Sequence, residues 1–409
     1  MRLVLSLWPL LLSGGLLLGA NGLQSTLLAV RGGAEGFSGL AVGLLLSAYY
    51  VGFVVGCRSV PAIIRDVGHI RAFVAFASVA SAATLLHAVA IDETVWLTLR
   101  VATGFAFAGL QMVLEAWLNE RATNGTRGRV LSAYRITDFA AVTALQSSLV
   151  LFDAMDFTLF ALLSVLVSLA LVPVALTRIE QPAPPASAGL DLGALWRLSP
   201  VAVAGAALVG LTASSFWSMS PLFVGGYGYA PSDAGPFVGA IILGGALSQA
   251  PIGALSDRID RRLVLLGTTT LAMLTALGLP LAAAVSLEAL LAAAAVFGAC
   301  ALPGFGLSIA HANDHAEPGT GLSVNGGMLM LYGVTAIIGP VVASQAIAAF
   351  GPQGLFWWVA AGYAALSLFC VFRMIRRAAP REAQPYVAVP RTSPTVFALD
   401  PRAGVQPPT

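Results

Sequence analysis

A chain of 409 residues that is 58% hydrophobic and 10% charged, with a mean hydropathy of +0.86, has too little polar surface to cover a soluble globule, in which about a quarter of residues are charged. Its net charge of +2 indicates no acidic partner, and its 21 basic residues, all Arg, form no patch suited to nucleic acid. The composition is that of a chain crossing a lipid bilayer many times.

In chain order, a single early Arg is followed by an apolar run to Val30. The run is too long for a signal-peptide core and has no small-residue cleavage site, so it reads as span 1. Apolar runs near 40–60, 72–91, 95–118, 130–152 and 157–177 complete six spans. After a Pro-rich polar connection from Arg178 to Arg197, containing Gln181-Pro-Ala-Pro-Pro, six more follow near 200–224, 236–252, 263–285, 288–310, 322–349 and 354–373. The expected organisation is an all-α membrane protein of twelve transmembrane helices, with halves at 1–177 and 199–377 and a cytoplasmic linker at 178–198. Residues 378–409, with seven prolines and little hydrophobicity, are expected to form a disordered cytoplasmic tail.

The arginines set the orientation. Arg65, Arg71, Arg121, Arg127, Arg129, Arg178, Arg197, Arg258, Arg261 and Arg262 lie in alternate loops, and Arg373, Arg376 and Arg377 follow the last span. The opposite loops hold only Arg31 among Glu35, Asp92, Glu93, Asp153, Asp156, Asp233 and Glu288. Both termini are therefore expected in the cytoplasm, with the chain in a bacterial inner membrane.

Polar residues inside spans are costly, which makes them the first candidates for a substrate or proton pathway. Span 1 offers Asn21, Gln24 and Ser25. In span 4, Arg100, Gly104, Gln111 and Glu115 share a narrow arc. That arc either lines a cavity, or Arg100 and Glu115 snorkel to opposite surfaces. In span 5, Asp138 lies about 12 Å from the cytoplasmic start at 1.5 Å per residue. Arg135, one turn earlier, is the partner that the sequence guarantees, and Gln146 extends the same side. The pair is either the coupling carboxylate with its partner or a static brace. Span 7 adds Thr212, Ser214, Ser215, Trp217 and Ser218, whose hydroxyls can equally satisfy their own helix. His87 is placed at an interface, and His69, His311 and His315 near cytoplasmic ends. Cys57, Cys300 and Cys370 stand alone in apolar runs, so no disulfide or metal site is expected.

Between spans 8 and 9 lies Gly253-Ala-Leu-Ser-Asp257-Arg258-Ile-Asp260-Arg261-Arg262, a charged hairpin between two apolar runs. Gly253 suits a close helix approach, and Asp257 suits a cap or an Arg pair. We expect Asp257 and Arg261 or Arg262 to pair with each other and with Asp314, forming a gate. Pro61-Ala-Ile-Ile-Arg65-Asp66-Val-Gly68-His69-Ile-Arg71 aligns as a degraded copy in the first half, where Arg65 stands in the place of the motif carboxylate and Asp66 is the candidate substitute.

The hairpin pattern G-x-L-x-D-R-x-x-R-R resembles the signature of major facilitator superfamily transporters, with Asp260 where the family often has a second Gly. Arg100-Val-Ala-Thr-Gly104 is similar to that superfamily's R-x-x-x-G motif, whose Arg serves substrate or proton handling. Glu115-Ala-Trp-Leu-Asn119-Glu120-Arg121, Arg127-Gly128-Arg129, Leu302-Pro303 and His311-Ala-Asn313-Asp314-His315 resemble the bacterial unknown major facilitator family 2. The Gly-Pro motif of span 5 in drug antiporters is replaced by Ala144-Leu145-Gln146, while Gly339-Pro340 holds the equivalent place in span 11. The resemblance implies the major facilitator fold, in which two pseudo-symmetric six-helix bundles surround a central cavity bordered by spans 1, 4, 7 and 10.

The functional expectation is a secondary active transporter that moves a small solute by alternating access, coupled to protons and with export as the preferred direction. A passive facilitator and a non-transporting membrane sensor are the alternatives. No Ser/His/Asp spacing, metal-ligand cluster or G-x-x-x-x-G-K-[ST] signature is present, so no enzyme activity, cofactor or ATP hydrolysis is expected. The expected partners are an unidentified small molecule, protons and the lipid bilayer, with the chain a monomer.

Overall fold

The computed structural model describes residues 2–123, 125–175, 182, 189–317, 320–376 and 385–401. Most of the predicted linker, together with Arg377, residues 378–384 and residues 402–409, lies outside this set. Among the described residues all regular structure is helical: α1 Arg2–Ala34, α2 Gly39–Val67, α3 His69–Val89, α4 Glu93–Glu120, α5 Arg127–Ser147, α6 Phe157–Leu169, α7 Leu171–Ala175, α8 Leu192–Leu198, α9 Pro200–Gly226, α10 Ala234–Ser256, α11 Arg261–Val285, α12 Leu287–Ala301, α13 Pro303–Asn313, α14 Gly321–Phe350 and α15 Gly354–Arg376.

Local chemistry sets these boundaries. Asp92 accepts the Val95 N–H at 2.9 Å to start α4, Ser38 accepts the Ala41 N–H at 3.1 Å to start α2, and Ser286 accepts the Ala289 N–H at 3.2 Å to start α12. Gly68, at φ 85°, allows the sharp break between α2 and α3. Among the described residues, ten helices or helix pairs are long and apolar enough to cross a membrane. The 21-residue α5 is outside this group because Arg127, Arg129, Arg135 and Asp138 lower its hydropathy. The expected span at 288–310 is divided at Leu302, where Pro303, which lacks the N–H to extend the ladder, begins α13. The expected span at 130–152 ends as helix at Ser147 and continues as a 3-10 turn, Ser148–Leu151.

The helix packing recurs along the chain. In the first half α1 packs on α5, α2 on α4, and α3 on α4 and α6. In the second, α9 packs on α14, α10 on α12, and α11 on α12 and α15. The α2–α4 crossing is glycine to backbone in both directions: Gly104 faces the Tyr49 carbonyl and Gly52 faces the Val101 carbonyl, each leaving no room for a Cβ. Gly244 against Ala295 and Gly298 against Ile241 repeat this crossing in α10 and α12. Gly104 therefore serves helix packing and does not extend a polar face.

The groups meet through α2 with α14 and α5 with α10. A Cβ at Gly43 would lie 2.9 Å from the Pro340 carbonyl oxygen, and one at Gly239 would lie 2.9 Å from Ser147 Oγ. These contacts lie toward the Arg-poor end.

At the Arg-rich end, residues 385–401 correct the expectation of a disordered tail. They include a 3-10 turn, Pro394–Leu399, with Val396, Phe397 and Leu399 buried. This turn packs against α4, α14 and α5. Burial of these apolar side chains offsets the ordering cost that the proline-rich composition suggested would prevail.

Gly104→Leu is expected to destabilise the protein by more than the ~1–3 kcal/mol of ordinary overpacking, because the obstruction is backbone. A thermal melt in detergent should show a clear fall in Tm, and an unchanged Tm would contradict the backbone-to-glycine contact.

Candidate functional site

A cavity of about 240 Å³ lies between the two helix groups. Asn21, Arg135, Asp138, Gln146 and Trp217 line it, as do Tyr49, Tyr50, Gln249, Phe305 and Tyr332 from α2, α10, α13 and α14. Val389, Arg391 and Thr392 close it at the Arg-rich end.

Arg135 Nη1 lies 2.8 Å from Asp138 Oδ2, and its guanidinium carbon is 4.1 Å from the Phe139 ring centre. One turn of α5 places both charges on the cavity wall, as the i, i+3 spacing requires. Gln146 donates to the Gly22 carbonyl at 3.0 Å, and Asn21 donates to the Tyr49 hydroxyl at 3.1 Å. These two amides join α1 to α5 and α2 on the cavity wall.

Other predicted pathway residues are buried behind the wall. Arg100, 1% exposed, does not snorkel: it donates to the Leu45 carbonyl at 3.3 Å and to Ser25 Oγ at 3.2 Å, over the Tyr49 ring at 4.6 Å. Gln24 donates to Thr84 Oγ1 at 3.1 Å. In α9, Thr212 and Ser214 bond their own helix, Ser215 also accepts from Trp358 Nε1 at 3.0 Å, and Ser218 is buried. The Thr212, Ser214 and Ser215 hydroxyls are thus engaged within the protein, and Trp217 is the predicted α9 residue that reaches the cavity. His87 is also buried, with Nδ1 2.6 Å from the Ala83 carbonyl, and is not interfacial.

Glu115 is fully buried, which excludes snorkelling for it as well. The Tyr134 hydroxyl lies 3.2 Å from Glu115 Oε1 and 2.8 Å from Gln111 Oε1. Thr392 and Ser393 of the tail donate their hydroxyls to the two Glu115 oxygens. Ser393 Oγ also accepts the Thr395 N–H at 3.2 Å, so the residue that begins the 3-10 turn ties it to α4.

The charged hairpin is built partly as expected. Arg261 Nε lies 3.0 Å from Asp314 Oδ2, with both side chains almost fully buried, and Arg261 Nη2 is 3.5 Å from Asp257 Oδ1. Arg262 pairs with Asp260 at 2.7 Å and not with Asp257. Asp260, not Asp257, caps α11, accepting the Arg262 N–H at 3.0 Å. Partial burial would raise the Asp260 pKa, but the Arg262 side chain and N–H outweigh it and hold the carboxyl below its ordinary range. Asp257 instead accepts the Tyr386 N–H at 2.7 Å. Gly253 makes room for the Tyr386 ring and not for a helix, and Arg258 sits exposed at the turn.

Sequence reasoning missed Tyr49, Tyr50, Gln249, Phe305, Tyr332 and Arg391. Gln249, a lone amide in an apolar run, was a usable signal. The aromatics were not, since they look like ordinary core until the two groups are juxtaposed.

Two groups of membrane helices that share a cavity, with contacts between the groups toward one end, have the architecture of a solute transporter. The Major Facilitator Superfamily profile matches residues 10–283 and 202–399, and the chain belongs to that superfamily. It is 26% identical over 357 residues, 86% of its own length and 91% of the relative's, to the uncharacterised transporter YcaD of this type from Escherichia coli O17:K52:H18 (strain UMN026 / ExPEC). The counterpart in Shigella flexneri serotype 5b (strain 8401) is 25% identical over the same length. Among solved structures, the nucleoside transporter NupG superposes with a TM-score of 0.76 at 15% identity, covering 92% of this chain and all of that one. A bacterial homologue of the human lysosomal transporter Spinster, inward-facing and occupied, superposes with a TM-score of 0.66 at 15% identity, covering 89% and 94%. These likenesses show the fold.

Arg261→Met leaves the buried Asp314 without that cation and is expected to cost about 3–5 kcal/mol. The double variant Arg261→Met with Asp314→Leu should recover most of it. Equal melting of the wild type and Arg261→Met would show that the pair holds nothing together.

Proposed function

We propose that the protein is a proton-coupled secondary transporter of a small solute in a bacterial inner membrane. Its twelve spans form two pseudo-symmetric six-helix halves, with both termini in the cytoplasm. The repeated helix pairing supports the twofold arrangement, α1 and α5 supplying two spans in addition to the ten named above. The arginine asymmetry supports the orientation. The likeness to the unknown major facilitator family 2 belongs to the same reading, through Glu115–Arg121 and His311–His315.

The observation that carries the coupling reading is the Arg135–Asp138 pair on the cavity wall. In a low-dielectric site a carboxylate beside an arginine keeps its charge through that partner, and a proton on Asp138 releases Arg135. The charged groups that act on Asp138 are Arg135 from its own helix and Arg391 from the tail. Protonation thus changes the charge that the cavity presents to a solute, and alternating access then gives proton and solute the same two exits. A passive facilitator has no use for this exchange.

Solutes can be found by thermal shift against metabolite and drug libraries, then tested in proteoliposomes with an imposed pH gradient. Wild type should couple proton movement to solute movement, and their relative sign reads the direction, opposed fluxes being the outcome for export. Asp138→Asn should lose gradient-driven flux while retaining solute exchange. Wild-type coupled flux in Asp138→Asn would remove Asp138 from the mechanism.

A further inference from the structure

The described tail does more than cover the opening, because it places one charged side chain in the cavity. Tyr386 anchors one end, its hydroxyl donating to Gln249 Oε1 at 3.0 Å and its N–H to Asp257 at 2.7 Å. Thr392 and Ser393 anchor the other end on Glu115. Arg391 lies between these anchors, with its guanidinium carbon 5.0 Å from the Tyr332 ring centre and 5.8 Å from that of Phe305. Tyr332 lies edge-on to both Tyr50, at 6.2 Å, and Phe305, at 5.1 Å, so the aromatic wall draws on both halves.

The manner in which Arg391 is held is informative. Arg391 is half-buried, and an arginine withdrawn from water usually finds a carboxylate or carbonyls, because its five donors are costly to strand. Among the described residues no carboxylate lies within 4.0 Å of Arg391, and its buried Nη1 has no hydrogen-bond acceptor. The aromatic faces hold it, with the Asp138 charge at longer range. Faces that present negative π-density to a cation without matching its donors do not discriminate guanidinium from ammonium. A site adapted to the tail alone would be expected to satisfy the guanidinium.

We infer that Tyr50, Phe305 and Tyr332 form a subsite for the cationic group of an organic solute, a guanidinium or ammonium attached to a small apolar body, and that Arg391 occupies it as a tethered stand-in. This rests on reading the cavity as the transport site. The tail then competes with solute by mass action: a tethered side chain acts at an effective concentration up to the millimolar range, and solute must displace it. The packed 3-10 turn and the Glu115 anchor stay in place; only the Arg391 side chain, held by aromatic faces, has to leave, which makes the displacement reversible.

The test uses the full-length chain in lipid nanodiscs without any gradient, with benzylguanidine as probe and benzylurea as its neutral, planar counterpart, read by calorimetry. Arg391→Gln should bind benzylguanidine about tenfold or more tightly than wild type, with no matching gain for benzylurea. Adding Tyr332→Leu to Arg391→Gln should abolish most of that gain. A second route, Thr392→Val with Ser393→Ala, loosens the tail without altering the aromatic wall and should also favour benzylguanidine. This route decides the matter if Arg391→Gln folds poorly. Equal binding of the two probes, or no gain of benzylguanidine in either tail variant, overturns the proposal. Because the measurement is at equilibrium, it can fail while Asp138-dependent proton coupling stands, and it can succeed while that coupling fails.

Discussion

A charge taken out of water must be answered within the protein, and that constraint organises this interior more than helix propensity does. Arg100 is answered by a carbonyl, a hydroxyl and an aromatic face; Arg135 by Asp138; Arg261 by Asp314 and Asp257. Glu115 has no cation within 4.0 Å among the described residues and is answered by the hydroxyls of Tyr134, Thr392 and Ser393 and the Val396 N–H, three of these from a segment more than 270 residues away in sequence. Apart from the Arg135–Asp138 pair, which lies within α5, each solution links elements that apolar packing would leave free to slide. The charged residues thereby set which helices move together.

The same logic separates bracing from working polarity. The Arg261–Asp314 pair is closed within the second half and buried on both sides, so it serves as a clamp. The Arg135–Asp138 pair borders open space, where a proton or a solute can reach it. Glycine-to-backbone crossings at α2–α4 and α10–α12 stiffen each group, while Gly43 against Pro340 and Gly235 against Gln146 bring the groups into backbone contact toward the Arg-poor end, and the tail joins α4, α5 and α14 at the other.

Features governed by local spacing were legible in the sequence. The Arg135–Asp138 pair follows from one helical turn, the charged hairpin from its isolation between apolar runs, and the family from motifs at fixed offsets. Features that depend on distant segments were not. Asp260 displaced Asp257 as the cap because it stands next to the first turn of α11, freeing Asp257 for the tail. Gly253 looked like a helix-crossing glycine but accommodates a tyrosine ring whose partner lies over 130 residues away. Proline-rich composition pointed to disorder for residues 385–401, yet no composition rule can register the apolar, hydroxyl-hungry groove that the helices present to Val396, Phe397 and Ser393. Phe305 and Tyr332 stand on different helices from Tyr50, and only tertiary assembly makes them one surface.

The central claim is that the segment from 385 to 401 is folded into the opening as part of the protein's polar accounting. Hydrogen–deuterium exchange on the full chain in nanodiscs tests it directly, because the Tyr386, Thr395, Val396 and Asp400 N–H groups all have acceptors. The account predicts marked slowing of exchange across this segment relative to an unstructured peptide of the same sequence, and faster exchange once Glu115 is replaced by Ala. Exchange at the unstructured rate in the unmodified chain would contradict it.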